Sequence, residues 1–228
     1  MTKNKIEQKS KKQKSDKTIY TIGDIHGHYD KLKTLLSIIG KDQTAEYVFL
    51  GDYIDRGPQP KKVVELCIKF AETHKCIFLK GNHEELMENA LSSIKKSETQ
   101  TDDFLLWIIN GGNTTCQSYK EINNIYKIHK DFFQSLKLYY ETDDYVFVHA
   151  GLKPNVPLKK QKQEDLLWIR DNFIFNPFHY KDKTIIYGHT VTTLCKSPYS
   201  DKIGIDTGAG YGGQLTALKL PEMKYIQI

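Results

Sequence analysis

The chain has 228 residues, 39% hydrophobic and 27% charged, which is ordinary for a soluble globular protein and enough for one large α/β domain with its own core. No apolar run reaches the roughly 18 residues that span a bilayer, so no membrane association is expected, and the basic N-terminus lacks the apolar segment of a secretory signal. The net charge is +5, yet residues 1–17 hold seven lysines against Glu7 and Asp16 and carry all of that excess. A neutral body excludes a broad nucleic-acid footprint, and no stable nucleic-acid complex is expected.

In chain order, residues 1–17 read as a disordered basic tail, and residues 18–228 as a single domain. Residues 18–22 form a short apolar strand. Tyr29–Ile39 has helical spacing (Leu32, Leu35, Leu36, Ile39) and stops at Gly40, a common end signal. Residues 46–50 read as a second strand. Pro60 suits the first turn of a helix that runs through Val63, Val64, Cys67, Ile68 and Ala71. Residues 76–79 are a third strand with a helix behind it. Three strand–loop–helix units in a row predict a parallel α/β core. Residues 101–138 look helical, with Gly111 and Gly112 as a break. Residues 139–142 and 145–148 flank Asp143 and Asp144 as a hairpin. Strands follow over 184–187, 202–205, 215–220 and 224–228. This order, β-α-β-α-β, then helices, then β, favours two sheets with helices outside. The four cysteines (Cys67, Cys76, Cys116, Cys195) are scattered without a CxxC pair. That speaks against a zinc ribbon or disulfide framework and for free thiols in a reducing cytoplasm.

Five of these strands end alike. TIYTI runs into Gly23-Asp24-Ile25-His26-Gly27, and YVFL into Gly51-Asp52-Tyr53-Ile54-Asp55-Arg56-Gly57. IFLK runs into Gly81-Asn82-His83-Glu84, YVFV into His149-Ala150-Gly151, and TIIY into Gly188-His189. Each turn alone is unremarkable: Gly-Asp is common in turns, Asn82 suits a helix cap, and a lone histidine is usually a core residue. His28, His74, His129 and His179 keep that ordinary reading. Together, however, five glycine turns past strand ends gather hard-to-borderline ligands, and α/β sheets bind at those ends. An aspartate that bridges two cations helps hold them about 3.5–4 Å apart, the spacing that clamps a phosphoryl group. Composition adds a second clue. Of 33 cationic side chains only Arg56 and Arg170 are arginine. A lysine-rich chain that keeps two arginines is expected to need the planar fork, and phosphate is a main reason for it.

GDIHG, GDYIDRG, GNHE, HAG and GHT, in that order, resemble the calcineurin-like metallophosphoesterases, and within them the phosphoprotein phosphatase family in its compact bacterial and phage form. The likeness runs from about Thr18 to Leu220. The segments around Asn110, Leu167 and Ile205 are similar to the bacterial branch, which includes symmetrical diadenosine tetraphosphate hydrolases. The resemblance implies a four-layer αββα sandwich of two mixed β-sheets. It implies two divalent metal ions, Mn foremost with Fe or Zn as options. Asp24 and His26 would bind the first, Asp52 would bridge both, and Asn82, His149 and His189 would complete the second. Arg56, Arg170 and Asn82 would hold the substrate phosphate, and His83, oriented by Asp55, would be the general acid. Lys80 departs from the arginine that eukaryotic members usually carry there.

The implied reaction is hydrolysis of phosphoserine and phosphothreonine by hydroxide held on the two ions, with no phosphoenzyme. The alternative is a dinucleoside polyphosphate or the 5′ end of RNA. A nucleotide substrate would want aromatic stacking, for which Tyr53, Trp107, Tyr199 and Tyr211 are the candidates. Substrate partners are therefore a phosphoprotein or a nucleotide, and regulatory subunits are not implied.

Overall fold

The computed structural model describes residues 17–97, 101–177, 180–192 and 201–228. Apart from Lys17, the basic tail lies outside these residues, as do His179, Cys195 and Tyr199.

Two sheets form from the expected strands. β1 (Ile19–Ile22), β2 (Glu46–Phe49) and β3 (Lys75–Phe78) run parallel. The chain's last two strands, β8 (Thr216–Leu220) and β9 (Lys224–Gln227), return antiparallel beside β1, giving the order β3-β2-β1-β8-β9. The second sheet has the order β4-β5-β6-β7. Its hairpin of β4 (Tyr139–Glu141) and β5 (Tyr145–Val148) is antiparallel, while β5, β6 (Thr184–Tyr187) and β7 (Lys202–Gly204) are parallel. Both sheets are therefore mixed.

Alternation along the strands separates three cores. Successive side chains of a strand point to opposite faces. Tyr20, Ile22, Tyr47 and Phe49 face one way and pack against α1 (Tyr29–Ile39), α2 (Pro60–Ala71), α3 (Asn82–Ser97) and α6 (Asn123–Ser135). Ile19, Val48 and Leu50 face the other way and meet Phe147, Ile186 and Ile205 between the sheets. Val146, Val148, Ile185 and Tyr187 leave that layer and pack on α7 (Gln163–Trp168) and α8 (Asp171–Ile174). The result is the expected four-layer αββα sandwich, helices–sheet–sheet–helices. Phe147 is fully buried between the sheets, where truncation to alanine would cost about 3–5 kcal/mol.

The middle segment is helical and broken where the glycine pair predicts. α4 (Asp102–Trp107) passes through a π-helical turn, Ile108–Gly112, into α5 (Asn113–Tyr119). Gly111 sits there at φ 104°, a backbone state that costs glycine nothing. His74 and His129 keep ordinary roles: His74 bonds the Gly40 and Phe70 carbonyls, and Tyr119 bonds His129 in the core. Cys67, Cys76 and Cys116 are free. No helix among the described residues is long and apolar enough to cross a membrane.

Candidate metal and phosphate site

The turns after β1, β2, β3, β5 and β6 come together and brace one another. Ile25 and His26 donate their backbone N–H to the Asp52 carbonyl at 3.0 and 2.8 Å, and Gly57 N–H donates to the His26 carbonyl at 3.0 Å. Within the second sheet, Gly188 N–H donates to the His149 carbonyl at 2.8 Å. That sheet is tied to the first where His189 N–H donates to both Asp24 oxygens at 3.1 and 3.0 Å. Close approach demands small residues at the crossings. A Cβ on Gly81 would lie 2.1 Å from Asp52 Oδ1, and one on Gly188 would lie 2.2 Å from Asp24 Oδ1.

Backbone strain concentrates here. Ten described non-glycine residues have positive φ, and five of them are His26, Asp52, Asp55, Arg56 and His189. Such conformations cost of order 1–3 kcal/mol each and persist where surrounding structure enforces them, as at binding sites.

The donor set fits cations. His26 Nδ1 donates to the Ile54 carbonyl at 3.1 Å, and His149 Nδ1 donates to the Leu50 carbonyl at 2.9 Å. A carbonyl can only accept, so these buried, neutral rings carry their one proton on Nδ1. Both Nε2 lone pairs then face Asp52, at 3.3 Å from Oδ2 and 3.6 Å from Oδ1. Asn82 Oδ1 lies 2.9 Å from His149 Nε2 and 2.9 Å from His189 Nδ1. His149 Nε2 thus faces the oxygens of Asp52 and Asn82 with no proton between them, an arrangement that suits a divalent cation. Two groups bring possible ligand atoms within 4.8 Å of one another, His26–Asp52–His83 and Asp52–His149–His189, and Asp52 is common to both. Asp24 is adjacent, its carboxylate accepting the His189 N–H.

Electrostatics agree. Burial, and then the charges of Asp206 and Asp52, push Asp24 well above the usual carboxylate range. Burial pushes His26 and His149 below the ordinary histidine value, and takes His189 down to about 2. Neutral imidazoles are the ring state that metal binding requires, and the burial and like charge that push Asp24 up are what a bound cation would offset.

Next to this cluster lies a buried acid pair. His83 Nδ1 donates to Asp55 Oδ2 at 2.7 Å, with both side chains buried. Burial favours the neutral ring, but the charge of Asp52 and the hydrogen bond and charge of Asp55 outweigh it, so the net shift of His83 is upward. Four residues here escaped sequence reasoning. Trp107 and Thr115 also bond Asp55. Glu84 accepts the N–H groups of Asp52, Tyr53 and Gly81, each at 2.9 Å, and so ties the β2 and β3 turns together. Asp206 is buried near Asp24, and burial raises it to about 6, against the pull of the Gly208 N–H and of both arginines. Asp206 stands in a strand-end turn of the same Gly/Asp kind, which is a readable signal; Trp107 and Thr115 carry none.

The two arginines differ in setting. Arg56 is half-buried, with its guanidinium 4.4 Å over the Tyr211 ring and Nη1 2.6 Å from His26 Nε2. Arg170 is exposed, donating from Nη1 to the His189 carbonyl and to Thr190 Oγ1, both at 3.2 Å. Among the stacking candidates, Tyr53 and Trp107 are fully buried and serve the core, because Tyr53 OH bonds the Leu79 carbonyl and Trp107 bonds Asp55. Tyr211 alone among those described is open, at 69% exposure. Lys80 is engaged elsewhere, in an ion pair with Glu88.

The profile of the family described as calcineurin-like phosphoesterase matches residues 17–217. The chain belongs to this family. It is therefore a metallophosphoesterase, a hydrolase whose family implies divalent metal ions. It is 28% identical to the asymmetrical bis(5′-nucleosyl)-tetraphosphatase PrpE of Anoxybacillus flavithermus, over 91% of this chain and 92% of that one. It is 29% identical to serine/threonine-protein phosphatase 2 of Salmonella typhimurium, over 89% and 92%. The crystal structure of a putative diadenosine tetraphosphatase shares the fold, with a TM-score of 0.70 at 19% identity over 93% of each chain. The nucleotide-cleaving relative is thus named for asymmetrical cleavage, where the resemblance had suggested the symmetrical type.

Proposed function

We propose that this metallophosphoesterase hydrolyses phosphoserine and phosphothreonine in proteins, using residues 18–228 as one catalytic unit. The observation that carries this reading is the buried His83–Asp55 pair, 2.7 Å apart, beside the cation-fitting cluster. A serine or threonine alkoxide is a poor leaving group and needs a proton as its P–O bond breaks. The leaving phosphate of a polyphosphate chain is far less basic and has little use for one.

In this reading Asp24, His26 and Asp52 hold one ion, and Asp52, Asn82, His149 and His189 the other, Mn foremost with Fe or Zn as options. When bound, the two cations stabilise charge on the phosphoryl oxygens and acidify water near neutral pH. Arg56 and Arg170 fork onto equatorial phosphoryl oxygens, with the Asn82 amide beside them. Asp55 accepts from Nδ1 and stabilises the protonated ring, whose Nε2 proton then passes to the departing oxygen, leaving a neutral ring with its proton on Nδ1.

A second reading, cleavage of dinucleoside polyphosphates, draws on the PrpE relatives and on the exposed Tyr211 ring stacked on Arg56. Purified Mn²⁺-loaded protein decides between them by kcat/KM on a phosphoserine peptide and on diadenosine tetraphosphate. The peptide is expected to be preferred. A clear preference for the nucleotide would overturn the first reading.

A further inference from the structure

The helical segment from α4 through α5 contributes nothing to the metal cluster, yet three of its residues reach the neighbouring turn. Trp107 Nε1 donates to Asp55 Oδ2 at 2.9 Å and to Oδ1 at 3.1 Å. Thr115 Oγ1 donates to Asp55 Oδ1 at 2.5 Å and accepts the Asp55 backbone N–H at 3.0 Å. One residue on, Arg56 N–H donates to the Gly111 carbonyl at 3.1 Å. Asp55, Trp107 and Thr115 are all fully buried.

A carboxylate offers about four lone-pair sites. Here His83, Thr115 and the shared indole N–H occupy both oxygens, so rotation of the carboxylate would break several bonds in a buried site. The glycine pair makes this possible. Gly111 at φ 104° aims its carbonyl at Arg56, and a Cβ on Gly112 would lie 2.6 Å from the Trp107 indole.

We infer that Trp107 and Thr115 are positioning residues for catalysis: they lock the Asp55 carboxylate so that it orients His83 for proton donation. This rests on the reading of His83 as the acid. A purely structural tryptophan would support all substrates equally. A positioning tryptophan matters most where the leaving group needs a proton.

The test uses the full Mn²⁺-loaded chain with a phosphoserine peptide and with p-nitrophenyl phosphate, whose leaving group needs little protonation. Trp107→Phe keeps the ring and removes the N–H; Thr115→Val keeps the shape and removes the hydroxyl; Thr115→Ser restores it. Losses from removing such outer partners run about 10–100-fold. Trp107→Phe and Thr115→Val should therefore lose about 10-fold in kcat on phosphoserine, and within about twofold on p-nitrophenyl phosphate. Thr115→Ser should keep both activities. An activity-independent readout, taken on the diamagnetic Zn²⁺-loaded chain, is the His83 Nδ1 proton resonance, which should move in both deficient variants and stay put in Thr115→Ser. Equal losses on the two substrates, or no loss on either, would overturn the inference, and Thr115→Val carries the test alone if Trp107→Phe does not fold. His83→Asn is run alongside; if it too shows no leaving-group bias, the acid reading itself has failed and the inference falls with it, whereas bias in His83→Asn alone condemns only the positioning role.

Discussion

The strand-end turns and the segment Asp102–Tyr119 both place side chains in the site, under opposite constraints. The turns present ligands on short backbone reversals, so they need glycines, left-handed residues and crossing hydrogen bonds such as those of Ile25 and His26 to Asp52. The helical segment reaches in with side chains from intact helices, so it needs only the right residue on the inward face and one break at Gly111. The first kind of region is intolerant because backbone and chemistry are the same atoms. The second tolerates change in shape and is sensitive to the loss of single donors.

The largest effect belongs to the turns. Asp52→Asn is expected to abolish activity and metal loading together, because it is the carboxylate common to both triads. Metal analysis showing two ions per chain in this variant would end the bridging role.

The next effect sits on the border between the regions. His83→Asn should lower phosphoserine turnover by about 10²–10⁴ and leave p-nitrophenyl phosphate much less affected. Equal loss on both, with metals bound, would assign His83 to phosphate or water positioning.

Arg56 and Arg170 sharpen the comparison further. Lysine keeps the charge but loses the fork, at a cost of about 1.5–3 kcal/mol in kcat/KM. Arg56→Lys should fall nearer the upper end, since Arg56 is half-buried and packed on Tyr211, whereas Arg170 is exposed. Unchanged kcat/KM in either would remove that arginine from phosphate binding.

Gly112→Ala probes the helical segment directly. Its Cβ would meet the indole at 2.6 Å, and overpacking of this kind costs about 1–3 kcal/mol, to be read from the urea midpoint. An unshifted midpoint would mean that the helices yield around Trp107 and do not clamp it.

The smallest effect lies at the N-terminus. Removing residues 1–16 should leave the melting temperature and small-substrate turnover unchanged. Removing Lys17 as well takes away its 2.7 Å ion pair with the buried Glu46, which Lys75 and Tyr140 also bond. Lys17 is partly exposed, so the added cost should stay below about 1 kcal/mol. A drop of several degrees on removing 1–16 alone would show that the tail packs on the domain.

Where the chain turns sharply past a strand end, local sequence must carry the means to do so. That is why GDIHG, GDYIDRG, GNHE, HAG and GHT are legible in the chain itself, and why the apolar run of strands such as YVFV and TIIY foretells burial on both faces. Glu84 stands inside GNHE but carries no local sign of its role, because its three N–H partners belong to two separate turns. Trp107 and Thr115 read as ordinary helical residues, and Trp107 and Tyr53 as stacking candidates, because nothing local marks which side of a helix or turn meets a carboxylate fifty residues away. The assignment of strands to sheets is equally hidden: β8 and β9 follow β7 in the chain yet leave its sheet to pair beside β1. Sequence by itself determined the strand-end turns, the element types and the hydrolase class, since these depend on short-range backbone geometry and residue chemistry. Only the tertiary structure decided the sheet order, the hold on Asp55 and the solitary exposure of Tyr211 among the described stacking candidates, since long-range contacts leave no period or spacing in the chain that makes them.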